Sequence, residues 1–213
     1  MEYVLMEPPI IMESLETLSK KEAKILFDWF VNQIPLRIEV LKNVTNEEVD
    51  FNFTPESLID IYSWFLSQIE IYELSEEEIG RELEELRQYP DFIYEDEKKS
   101  LLANPVEIAK VDYAIAMDII DIGIYYGETI RRNYPQVKWT YFTKPKSHSF
   151  LNKPVLYFND ADDDMISYER EPIDLMFVLN QRIKRGEITD HSLYELYQYD
   201  VNEILGIFED PED

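Results

Sequence analysis

A chain of 213 residues with 45% hydrophobic and 14% aromatic residues has enough apolar side chains for one sizeable core, or two small ones sharing an interface, and is far from disordered in composition. Its 45 acidic against 20 basic residues leave a formal charge of −25, a field that repels nucleic-acid phosphate and anionic lipid and favours basic partners. The absence of cysteine excludes disulfides, thiolate nucleophiles and sulfur-ligated zinc, and an N-terminus that carries acids and is broken by Pro8 and Pro9 leads us to expect a cytoplasmic protein.

In chain order, 1–18 is a lead-in with one short strand near Tyr3 to Met6. Ser19 and Glu22 have capping-box spacing and open a helix with Ile25, Leu26, Trp29 and Phe30 on its apolar face; it is expected to stop near Ile34, ahead of Pro35, with a second short helix over 35–43. Val49, Phe51 and Phe53 alternate with polar residues, the period of a half-buried strand. Thr54-Pro55 begins a helix to about Ile71, and Ser75 with Glu78 caps an acidic helix to Gln88 whose apolar stripe is narrow: Ile79, Leu83 and Leu86. The segment 89–103, containing Pro90 and Glu95-Asp96-Glu97, reads as a linker.

The segment 104–133 is predicted to be the central helix, with Asn104 as its cap and Pro105 at its first position. Its apolar residues cover so much of the circumference that it should be buried on several sides, yet polar residues interrupt it too often for a membrane span. Ala109, Ala116, Gly123 and Gly127 form a small-residue seam for close packing. Strands follow over 137–143 and 154–159, joined by a ten-residue loop; 160–171 is an acidic loop; Pro172 opens a helix to Gly186; Thr189 caps a last helix to about Leu205; and 207–213 is expected to be a disordered tail. The expected fold is therefore α+β and mainly α: a helical N-terminal half, a central buried helix, one β-hairpin and two C-terminal helices. It forms one domain over 1–213, divisible into subdomains 1–88 and 104–206.

Three features could carry chemistry. Asp118, Asp121, Tyr125 and Glu128 share one face of the central helix. Buried, such carboxylates become general acids or ligands; the plainer reading is a solvated or interface edge. The stripe lacks the histidine that helical metal sites usually include. Between Thr129 and Asn159 there is no acidic residue, while Arg131, Arg132, Lys138, Lys144, Lys146 and Lys153 accumulate with His148. This window could be an anion site using Lys144, Lys146 and His148, or it could lie against acidic surface of the same chain or a second subunit; it lacks a glycine-rich phosphate cradle. Asp160, Asp162, Asp164 and Glu171 occupy calcium-loop positions, but Met165 stands where glycine is needed. No cofactor or metal is expected, and no nucleophile elbow accompanies either histidine.

The run Asp121-Ile-Gly-Ile-Tyr-Tyr-Gly-Glu128, followed by Trp139 and the strand at 154–159, resembles a pattern in small uncharacterised bacterial proteins, some of them suspected immunity proteins of toxin systems. The likeness covers about Tyr113 to Asn159 and brings no catalytic residue with it. It implies a non-enzymatic protein that binds a partner, and acidic charge would suit a basic one. The other readings are an enzyme or small-ligand binder built on the helix stripe and the basic hairpin, and a structural homo-oligomer joined by the hairpin.

Overall fold

A computed structural model describes residues 6–10, 14–46, 48–108, 113–161, 166–184 and 186–207. Residues 3–5 of the expected strand, 208–213 of the expected tail and 162–165 of the acidic loop lie outside them. After a short 3-10 turn at Leu15–Thr17 comes α1, Lys20–Val44, opened by the expected box: the Ser19 hydroxyl accepts from the Glu22 amide while the Glu22 carboxylate accepts from the Ser19 amide. This helix does not stop at Pro35, so the two expected helices are one. Proline costs its helix one backbone hydrogen bond, and burial on both sides of it, Phe30 and Ile34 before and Ile38 and Leu41 after, holds the helix together.

No strand forms at 49–53. Val49, Phe51 and Phe53 do turn inward while Asp50, Asn52 and Thr54 stay exposed, but the backbone is irregular, Phe53 has φ 60° and Asn52 Oδ1 accepts from the Thr54 amide. Helix α2, Ser57–Gln68, is followed by β1, Ile71–Glu73, then α3, Glu76–Leu86, with its own complete capping box on Ser75. The expected linker is instead helix α4, Asp91–Ala103, with Pro90 as its N-cap residue, a place where proline does no harm. The expected first turns of the central helix are instead strand β2, Val106–Ile108, antiparallel to β1.

The central helix α5 runs over Tyr113–Asn133. Strands β3, Lys138–Thr140, and β4, Val155–Asn159, make the expected hairpin with shorter strands. Part of the supposed acidic loop supplies a third strand, β5, Ser167–Arg170, so the sheet order is β3-β4-β5. Two helices close the fold as predicted, α6 over Pro172–Lys184 and α7 over Ser192–Leu205. The cap of α7 is His191 rather than Thr189, and Gly206 ends the helix in the left-handed conformation with φ 66°.

The architecture is α+β and mainly α. Every residue from 121 to 130 is buried, and α5 is packed by α1, α2, α6 and α7. One hydrophobic cluster joins Leu41, Tyr62 and Phe65 from before α3 to Ile122, Leu156, Leu179 and Ile204 from after α4. The glycine seam is a place of close approach: a Cβ on Gly123 would lie 2.8 Å from the Pro172 carbonyl oxygen, and one on Gly127 would lie 2.6 Å from the Trp139 ring. Helices α3 and α4 contribute no buried residue. Among the described residues no helix is long and apolar enough to cross a membrane.

Candidate functional site

The carboxylate stripe of α5 is not a solvated edge. The side chains of Asp121 and Tyr125 are 0% exposed and Glu128 is 3% exposed, which overturns the plainer reading. The side chain of Asp118 lies outside the described residues. The stripe is also not one cluster, because each group is directed to a different neighbour.

Asp121 faces Arg37 of α1: Nε donates to Oδ1 and Nη2 to Oδ2, both at 2.6 Å, and Arg37 is itself 1% exposed. A planar guanidinium forking onto a carboxylate is the geometry that best offsets the cost of burying both charges. The Tyr125 hydroxyl lies 2.6 Å from Ser57 Oγ and accepts from the Phe53 amide at 3.2 Å. Burial raises its pKa above the usual phenol value, opposed by the Ser57 hydroxyl and the Phe53 amide. It therefore anchors the irregular 49–53 segment to the core.

Glu128 is held by its own helix and by β3. Arg131 donates to both carboxylate oxygens at 2.8 Å, Trp139 Nε1 donates to Oε1 at 2.9 Å, and Arg132 Nε stands 3.6 Å away. Burial favours the neutral acid, but Arg131 and Trp139 outweigh it, with Arg132 adding to them, and keep the carboxyl below its ordinary pKa. A group so held stays ionised and is a poor general acid. Glu128 nevertheless borders an open cleft, a cavity of about 590 Å³ between α1, the end of α5 and β3, where Val31, Ile34, Arg132 and Trp139 also line the wall.

The basic window faces acids of its own chain. Lys153 Nζ donates to Glu171 at 2.7 Å and to Asp174 at 3.0 Å. His148 stacks on Phe142 with centroids 4.4 Å apart, accepts from the Phe150 amide through Nδ1, and places Nε2 3.3 Å from Glu169 Oε1. Lys144 and Lys146 are exposed on the intervening loop. Lys144, Lys146 and His148 thus do not join the α5 stripe in one pocket. Residues 162–165 of the calcium-loop template lie outside the described residues, and its last position, Glu171, is occupied by the Lys153 ammonium. No group of three or more His, Asp or Glu side chains positioned for a metal occurs among the described residues.

Two polar clusters were not foreseen. One is the pairing of Arg37 with Asp121; in the other, Asp200 of α7 is 1% exposed where it receives the hydroxyls of Tyr126 and Tyr168 and two nitrogens of Arg170. The available signal was spacing. Arg37 falls on the apolar face of Ile34, Ile38 and Leu41, and Asp200 on the face of Tyr197 and Ile204; a lone charge on an apolar helix face calls for a buried partner.

Glu171, only 9% exposed, is the carboxyl whose properties depart most usefully from the ordinary. Burial raises its pKa from 4.5 to about 7, with Lys153 pulling it down and Asp174 pushing it up. Because the folded value lies above the unfolded one, the folded chain holds a proton that the unfolded chain releases between those pH values. The stabilising contribution is complete below pH 4.5 and is lost as pH rises through about 7. We expect the stability of wild type relative to Glu171→Gln to fall across this window, measured by urea unfolding of both proteins. A difference independent of pH would contradict the assignment.

Neither a protein-family model, a curated protein nor a solved structure matches this chain.

Proposed function

We propose that the chain is a binding protein for a basic protein partner, of immunity or inhibitor type, and that it works through its acidic surface. The observation that supports this most is the character of the region from Glu70 to Glu107, which holds thirteen acidic and four basic residues. Its two helices have no buried residue, so their charge is presented outward. The interior carboxylates, by contrast, are committed: Asp121 to Arg37, Glu128 to Arg131, Asp200 to Arg170. Exposed charge of one sign guides diffusing partners of the other and rejects like-charged ones.

The test is a pull-down at stepped ionic strength with wild type and a Glu76→Lys/Glu77→Lys/Glu84→Lys/Glu85→Lys variant. A captured protein should be basic, should be released as salt is raised, and should be lost with the variant. Capture that ignores both salt and charge reversal would overturn the proposal.

A further inference from the structure

The acidic region is not uniformly polar. Between α3, α4 and β2 lies a hollow of about 400 Å³, with Leu74, Leu86, Ile93 and Leu101 in its lining and Glu82, Glu97 and Glu107 around them. Tyr89 lines the same hollow and is 49% exposed; Phe92 and Leu102 on α4 are 75% and 53% exposed. Ile79, Leu83 and Leu86, the narrow stripe of α3, are only half-buried. This helix pair thus shows apolar surface within a strongly acidic region. A patch of that kind, apolar at its centre and polar at its rim, is the usual form of a binding surface.

Resting on the function proposed above, we infer that this hollow docks an amphipathic segment of the partner, one that brings two or three aliphatic side chains on one face and lysine or arginine on the flanks. Charge decides between candidate occupants. The α3–α4 face of a second copy would bring the same excess of acid against itself, and the last residues of this chain, Glu-Asp-Pro-Glu-Asp, are acidic too. A basic segment meets the acidic excess of the region with opposite charge while its apolar face fills the floor. Length agrees: the 11 residues of α3 extend over roughly 16 Å at about 1.5 Å per residue, enough to lie beside helical anchors at i, i+4 and i+7.

The probe is a fluorescein-labelled 18-residue helix-forming peptide of leucine and lysine with leucines on one face, compared with a scrambled peptide of the same composition. Both are titrated by fluorescence anisotropy into the full chain. The amphipathic peptide should saturate one site and bind about 10-fold more tightly than the scramble, and Tyr89→Ala, at an exposed position, should remove most of that advantage. Leu101→Gln, checked for folding by circular dichroism, should do the same. If both peptides bind alike at low salt and neither substitution matters, the hollow is not the dock, although the acidic-surface reading stands. If neither peptide binds at low salt, both fall. Self-association of the chain abolished by Tyr89→Ala, seen by sedimentation, would assign the hollow to a second copy and overturn the inference.

Discussion

Arg37→Ala should lower the unfolding free energy by about 3–5 kcal/mol, among the largest losses a single substitution in this chain can produce. Arg37 and Asp121 are 1% and 0% exposed. Removing the guanidinium leaves the Asp121 carboxylate in the centre of the fold without the cation that offsets its desolvation. Asp121→Ala should cost a similar amount, for the converse reason. The double variant Arg37→Met/Asp121→Leu removes both charges of the pair and should recover most of the loss, because apolar replacement of both members of a buried pair is often neutral or better. Urea unfolding of the two single variants and the double variant forms a thermodynamic cycle. A cost for Arg37→Ala below about 1 kcal/mol, or a double variant equal to the sum of the single losses, would show that the pair is not the unit described.

Asp200 should be nearly as sensitive. Its Oδ2 accepts from the Tyr126 and Tyr168 hydroxyls at 2.7 and 2.8 Å, and its Oδ1 from Arg170 Nε and Nη2 at 3.0 and 2.6 Å. These donors come from α5 and β5, so one carboxylate of α7 ties three elements together. Burial drives both tyrosines well above the ordinary phenol pKa, and the adjacent carboxylate adds to this, so they remain donors throughout the working pH range. Asp200→Ala strands the two tyrosine hydroxyls, leaves Arg170 with its 3.3 Å bond to Glu203, and should cost about 3–5 kcal/mol. Asp200→Asn retains the shape and one acceptor and should cost about half as much. Thermal unfolding separates the two, and near-ultraviolet circular dichroism should register the freed tyrosines. An alanine variant as stable as wild type would remove Asp200 from its assigned role.

What could be read from the sequence is largely what is decided within a few residues. Both capping boxes lie three positions apart and formed as expected, and the glycine seam on α5 found close neighbours at Pro172 and Trp139. The failures share a cause in distance. The residues of strand β2 look helical because Asn104-Pro105 is a sound local start, whereas the partner strand Ile71–Glu73 lies more than thirty residues earlier. Strand β5 is four residues long and is specified by pairing to β4 rather than by its own composition. Pro35 suggested a helix end on local grounds, yet tertiary burial of the turns on both sides prevails. The α5 stripe is visible as a spacing, but the burial of Asp121 goes with Arg37, 84 positions away, and no local pattern announces such a neighbour.

The absence of any buried residue in α3 and α4 also bears on how the molecule breathes. The free energy of opening a segment rises with the apolar contacts it must give up. The α3–α4 pair can therefore separate from its surroundings in a partial unfolding step that leaves the α5 core intact, so its amide protons should exchange with solvent well before those of α5. A partner that settles between these helices would close that step. Its presence would be recorded as slowed exchange confined to this pair, set against an unchanged background from the rest of the chain.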